Sequence, residues 1–160
     1  MLQMTALQTS TTRVTRHFKA PRAQVYAALT SAGAIAKWKV PDGMSFKMLA
    51  FNGHPGGGFR VSLTYDLPGP AGKTTAHTDT YQGRFVELVP NERVVEVDTF
   101  ETDDPALRGE MTITITLRDA DGGTDLVAVH EGVPPGVPPA DNETGWNMAL
   151  AKLAALVEQS

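Results

Sequence analysis

Cysteine is absent from this chain of 160 residues, and with it several classes of function. A chain without cysteine has no disulfide framework, no thiolate zinc site and no cysteine nucleophile. No apolar run approaches the roughly 18 residues of a membrane span. The 14 lysine and arginine residues are scattered, and the formal net charge is −4, which gives no support for phosphate binding. We therefore predict that the protein binds neither nucleic acid nor membrane.

Several motifs that define catalytic or metal sites are also missing. The four histidines of the chain are His17, His54, His77 and His130. They are too far apart in sequence to show the spacing of a metal-binding pair, and we predict no metal and no cofactor. The three glycines at residues 56–58 lead into a predicted strand and lack the Lys-Ser/Thr pair of a phosphate-binding loop, so they indicate a turn or bulge. No serine lies in a Gly-x-Ser-x-Gly elbow, which disfavours a hydrolase of that class.

Composition and length indicate one ordinary globular domain. Hydrophobic residues make up 41% of the chain and charged residues 20%, which excludes a fibrous chain or one disordered throughout. Residues 1–11 lack the basic and apolar segments of a signal peptide, and we interpret them as a short disordered lead before a single domain at residues 12–160. The expected location is the cytoplasm.

The order of the predicted elements points to an α+β fold. A first strand at residues 11–18 is followed by two short helices at residues 21–29 and 32–37, and then by about six strands between residues 44 and 130. Short turns between consecutive strands predict antiparallel pairing. A long helix at residues 141–158, with Asp141 or Asn142 as its cap, carries an apolar stripe that only the inner face of the sheet can cover.

The same residues resemble a known family. The resemblance runs collinearly from about residue 12 to residue 158. The segments that carry it are residues 18–21, Trp38, residues 41–43, 56–60, 83–95 and 130–132, and Gly145-Trp146 with Leu150 and Leu153. They are similar to the START-like (SRPBCC) superfamily, in the branch of the activator of Hsp90 ATPase C-terminal domain. The resemblance implies a helix-grip fold, in which a curved antiparallel sheet wraps around a long C-terminal helix. It also implies a cavity that in relatives takes lipids, polyketides, hormones or aromatic compounds.

The fourth predicted strand carries the most suggestive polar residues. His77, Asp79, Tyr81 and Phe85 recur at even spacing and therefore share a face, which we expect to look toward the helix and the cavity. His77 with Asp79 could form an oriented base, and Tyr81 could donate a hydrogen bond to a carbonyl. In the alternative interpretation, Tyr81 and Phe85 are core residues, while His77 and Asp79 lie at the solvated end of the strand.

Other candidates come from the last strand and from the aromatic residues. His130 ends the seventh strand, and because both faces there carry apolar residues the period does not decide where it points. A lone histidine is more often a hydrogen-bonded residue at the edge of a core. The proposed ligand-binding set contains Trp38, Phe59, His77, Asp79, Tyr81, Phe85, His130, Trp146 and Leu150, although its apolar members could simply fill the core. Gly145 suggests close approach of backbone or ligand to the long helix.

Three functions remain open at this stage. The first is a binding protein for a small apolar or amphipathic molecule, reached past the loops at residues 53–58 and 133–139. The second is a cyclase or dehydratase that uses His77 or His130 as base and Tyr81 as donor. The third, which rests on the family resemblance alone, is docking to an Hsp90-like chaperone. Edge strands would also allow a homodimer.

Overall fold

A computed structural model describes residues 8–66 and 78–158 of the chain. In these ranges it forms seven strands and three helices, in the order β1 (Ser10–Phe18), α1 (Arg22–Thr30), α2 (Ala32–Trp38), β2 (Met44–Phe51), β3 (Gly58–Tyr65), β4 (Thr78–Val89), β5 (Arg93–Phe100), β6 (Met111–Ala120), β7 (Gly123–Val133) and α3 (Pro139–Val157).

The strands form one antiparallel sheet in the order β1-β7-β6-β5-β4-β3-β2. Strands β2 to β7 are neighbours in sequence order, as is usual for antiparallel strands that follow one another along the chain. β1 and β2 lie at opposite edges, and α1 and α2 carry the chain from one edge to the other. The predicted antiparallel sheet with two short helices after its first strand is confirmed.

The long helix α3 lies against the inner face of this sheet, packing on β1 and on both short helices. Its Leu150 and Leu153 are fully buried, beside Leu126 of β7 and Ile113 of β6 in one continuous apolar core. Spacings of three and four place these side chains on one side of the helix. The arrangement is the helix-grip fold, as predicted.

The ends of some elements differ from the prediction. α3 begins at Pro139 after the N-cap residue Pro138, whose ring has no atom that could accept a hydrogen bond, so the helix has no side-chain cap. The predicted cap at Asp141 or Asn142 is therefore wrong, and the Asn142 amide instead donates to the Thr12 hydroxyl at 2.8 Å. β1 begins at Ser10, one residue earlier than predicted. Within the described ranges no helix is long and apolar enough to cross a membrane.

Candidate ligand-binding site

A recess of about 620 Å³ lies between the sheet and the first half of α3. Its walls include apolar side chains of four different elements, among them Leu63, Phe100, Met111 and Trp146. The loop before α3 contributes Pro134, Val137 and Pro138 to the lining of the recess. A mostly apolar concavity of this size is typical of small-molecule sites.

Several polar side chains also line this recess. Four of them, which we call the polar end, are Lys39, Asp79, Tyr81 and Asp98, and the others include Asp42, Thr99, Asp141, Asn142 and Thr144. Asp79, Tyr81 and Asp98 are each less than a tenth exposed, and the Lys39 side chain is 12% exposed. Asp79 is engaged with a partner of its own. A few placed polar groups in an otherwise apolar recess are the usual source of orientation and specificity.

Lys39 reaches the polar end because it closes α2. Its backbone N–H donates to the Ile35 carbonyl at 2.9 Å and ends the helix, and its side chain turns inward. Nζ lies 2.9 Å from the Glu96 carboxylate and 5.2 to 5.8 Å from the ring centres of Phe59, Tyr81 and Trp146. Burial alone would lower the pKa of Lys39, but the charge and hydrogen bond of Glu96 together with Tyr81 and Asp98 outweigh it and raise the pKa, so the ammonium stays charged.

Glu96 and Asp98 stand two residues apart on β5 and so share its inner face. Burial would raise the pKa of Glu96, but Lys39 and a hydrogen bond with Asp98 lower it below its usual value. Burial and the neighbouring Glu96 charge raise the pKa of Asp98 well above its usual range. These opposite shifts favour a state in which the shared proton resides on Asp98, which then donates to an ionised Glu96.

A glycine on β4 makes room for Asp98. Gly83 pairs with Asp98 on one side and with Phe59 on the other, so the three lie in one row across β3, β4 and β5. A Cβ at Gly83 would overlap both an oxygen of the Asp98 carboxyl and the tip of the Phe59 ring. Both groups therefore occupy the space that a side chain at residue 83 would take.

His130 points inward and is completely buried, but it does not line the recess. It pairs with Ile113 and Thr12 on the neighbouring strands, and its ring packs edge-on against Trp146 at 4.5 Å between centres. Neither ring nitrogen has a hydrogen-bond partner in the described part of the chain. The expectation of a hydrogen-bonded histidine at a core edge is therefore wrong. Burial lowers the pKa of His130 to about 4, so the ring is neutral at pH 7.

The structure divides the candidate residues between the recess and the core. Asp79, Tyr81 and Trp146 line the recess. Trp38, Phe59 and Phe85 instead surround a smaller void of about 10 Å³, which Tyr81 also lines, and the Trp38 indole donates to the Ala28 carbonyl at 2.9 Å. Leu150 is fully buried in the core. His77 lies outside the described residues.

Two further expectations need correction. The loop at residues 53–58 does not line the recess in the described part of the chain, whereas residues 41, 42 and 44 and residues 134 and 136–138 do. A Cβ at Gly145 would meet no atom within 4 Å, so no backbone approaches this glycine, which itself faces the recess. Of the two predicted explanations for this glycine, close approach of backbone is therefore wrong, and close approach of a ligand stays a prediction.

Sequence reasoning missed Lys39, Glu96 and Asp98. The two acids gave only an ambiguous signal: they alternate with valines on β5, but Val94 shares their face, so alternation did not show which side of the strand is inward. The lysine gave no such signal, because a charged residue just after a short helix is typical of a solvated surface.

A metal does not account for these acidic side chains in the part of the chain that is described. Across residues 8–66 and 78–158, no three His, Cys, Asp or Glu side chains are grouped so that they could hold a metal ion. The positive charge beside Glu96 is supplied by Lys39.

Comparison with known proteins identifies the family. The model of the family described as Activator of Hsp90 ATPase homolog 1-like protein matches residues 19–158. The chain belongs to this family. Its match covers both short helices, strands β2 to β7 and α3, and so includes every residue of the polar end. A search of curated proteins gave no match.

Solved structures of bacterial proteins share the fold of this Hsp90-activator-like chain. A crystal structure of a Chromobacterium violaceum protein is 37% identical, with a TM-score of 0.84 over 94% of this chain and 98% of the other. One from Rhodobacter sphaeroides is 25% identical, with a TM-score of 0.74 over 93% and 92%. A solution structure from Arthrobacter aurescens is only 13% identical, yet reaches a TM-score of 0.78 over 98% and 91%, which shows the fold alone.

Proposed function

We propose that this protein binds a small, largely apolar molecule in the recess between the sheet and α3. The observation that carries the proposal is the recess itself, whose apolar walls surround a short set of buried polar side chains. Its volume of about 620 Å³ falls within the range of roughly 300 to 1,000 Å³ of small-molecule sites. Family membership is consistent with this proposal, because the resemblance to the superfamily implies a shared internal cavity rather than one shared reaction.

Gly145 offers a way to fill the recess without disturbing the core. It lines the recess, and a side chain there meets open space. We expect Gly145→Phe to weaken binding of the neutral dye Nile red by roughly ten-fold or more, because the new ring would occupy the ligand's place. The measurement is a fluorescence titration of the dye against each protein.

Gly33→Phe is the matched control. Gly33 is also a helical glycine whose added Cβ would meet no atom within 4 Å, but it lies on α2 away from the recess. We expect its dye affinity to match that of the wild type. Equal affinities for all three proteins would contradict the proposal, since the dye would then bind elsewhere.

Native mass spectrometry of protein purified gently from its own cells tests the same proposal with the natural ligand. We expect a reproducible mass increment that disappears on denaturation and that Gly145→Phe abolishes. An increment that persists in Gly145→Phe would place the bound molecule outside the recess.

An enzymatic function has less support than binding. The hypothesis of a cyclase or dehydratase needs His77 or His130 and Tyr81 within reach of one bound molecule. Tyr81 lines the recess, whereas His130 lies behind Trp146, and His77 stays a prediction. A role in chaperone binding rests on the family description alone.

A further inference from the structure

We propose that His130 contacts the bound molecule after the Trp146 ring has moved aside, and that this molecule carries a hydroxyl group for that contact. The inference rests on the proposed function and adds to it the polar group of the ligand and the residue that recognises it. It starts from a buried histidine to which the apolar recess alone gives no role.

The His130 side chain is completely buried, yet its hydrogen-bonding atoms are unused. Neither Nδ1 nor Nε2 has a partner in the described part of the chain. Buried polar atoms in folded proteins nearly always have a partner, because an unpaired one has lost its hydration without a replacement. A ligand group that pairs with the imidazole would account for a histidine at this position.

The recess comes within one side chain of His130. The neighbour of His130 on β6 is Ile113, which itself lines the recess. Trp146 also lines the recess, and its ring packs edge-on against the imidazole with 4.5 Å between the ring centres. The indole ring is therefore the wall between the recess and His130.

No hydrogen bond holds this wall in place within the described residues. The Trp38 indole donates to the Ala28 carbonyl at 2.9 Å, whereas the Trp146 N–H makes no such bond in the described part of the chain. Trp146 is instead held by contacts with the rings of Trp38 and His130 and with the Lys39 ammonium. Because its other side faces the open recess, rotation about its side-chain bonds can uncover His130 without breaking a hydrogen bond.

A hydroxyl group is the ligand chemistry that matches this imidazole. Burial lowers the pKa of His130 to about 4, so at pH 7 one ring nitrogen carries a proton and the other is an acceptor. A hydroxyl both donates and accepts, so it can pair with whichever nitrogen it reaches. A carbonyl oxygen can pair only with the N–H, and a methyl group with neither.

A matched pair of ligands tests the contact. 2-Naphthol and 2-methylnaphthalene share one ring system and differ by a hydroxyl in place of a methyl group. Displacement of Nile red gives a dissociation constant for each, and the quantity to compare between proteins is the ratio of the two. We expect His130→Leu to reduce the preference for 2-naphthol by roughly ten-fold. An unchanged ratio would overturn the inference and leave the proposed function standing. If neither compound displaces the dye the inference also fails, and if the dye itself does not bind, the proposed function fails with it.

His54→Leu is the matched control, because it makes the same change at an exposed histidine outside the recess. We expect it to keep the wild-type ratio. Tyr81→Phe removes a hydroxyl that lines the recess. A preference that is lost in Tyr81→Phe and kept in His130→Leu would assign the contact to Tyr81 and overturn the inference.

Trp146→Ala tests the movement of the wall. Only the hydroxyl ligand has to displace the indole, so its removal should raise the preference for 2-naphthol several-fold. A ratio at or below that of the wild type would overturn the role of Trp146. If this variant does not fold, nitrogen-15 NMR of histidine-labelled wild type decides, with the His130 signals identified by their absence in His130→Leu. We expect 2-naphthol to shift one ring nitrogen of His130 more than 2-methylnaphthalene does, and equal shifts would overturn the inference.

Discussion

Replacement of His130 should remove a specific part of the acid sensitivity of this protein. The ring is fully buried, both nitrogens lack partners in the described part of the chain, and burial lowers its pKa from 6.5 to about 4. The charged groups that act on it are Glu96, which raises the pKa, and Lys39, which lowers it. In the unfolded chain the imidazole takes up a proton below pH 6.5, whereas in the folded protein it does so only near pH 4.

The sign and size of the effect follow from this difference. Between pH 6.5 and about 4 the unfolded chain binds more protons than the folded protein. The free energy of unfolding therefore has its full value above pH 6.5 and decreases as the pH falls through this range. The two pKa values correspond to a loss of about 3 kcal/mol by pH 4. His130→Leu should lack this loss. It should also be equally stable at pH 7 or more stable by up to about 2 kcal/mol, because two unpartnered nitrogens are removed.

Urea unfolding of both proteins at a series of pH values measures the effect, and the quantity to compare is the difference between wild type and variant. His130→Gln is the second variant, since it cannot titrate in this range but keeps a buried polar group. We expect it to flatten the same pH interval while being less stable than His130→Leu at pH 7. A wild-type loss of stability that both variants reproduce in full would refute the reasoning.

Two further substitutions test the packing beside the recess. Gly83→Ala should destabilise the protein by about 1 to 3 kcal/mol, because its methyl group overlaps Asp98 and Phe59. Gly33→Ala, which meets open space in α2, should instead be neutral or stabilising by up to about 1 kcal/mol; equal effects in chemical denaturation would contradict the argument. Trp38→Phe should lower the free energy of unfolding by about 1 to 3 kcal/mol, because it removes the hydrogen-bond donor of the Ala28 carbonyl and leaves a void where the indole was. A thermal midpoint equal to that of the wild type would contradict both reasons.

The fold could be predicted because its signals are local. Alternation along β6 and a three-four spacing along α3 each reflect which face of the element is covered, and short turns leave antiparallel pairing as the simple solution. The same local signal placed Asp79, Tyr81 and Phe85 correctly on one inner face of β4. It could not separate the recess from the core, since a lining residue and a core residue both face inward.

Lys39, Glu96 and Asp98 could not be predicted in this way. Lys39 and Glu96 are separated by 57 residues, and one sequence carries no sign that two such distant residues pair. β5 has valines on both faces, so alternation did not show which side of that strand is inward. His130 posed the same difficulty on β7, and only the register with Ile113 and Thr12 reveals its direction.

The position of β1 at the edge of the sheet has a consequence for the synthesis of the chain. Ser10 pairs with Val133, so β1, which is synthesised before the other described strands, has as its neighbour among them the one that is synthesised last, β7. Such long-range pairing slows folding and leaves early segments exposed while they wait. β2 to β7 can pair one after another during synthesis, while β1 stays unpaired until β7 has emerged.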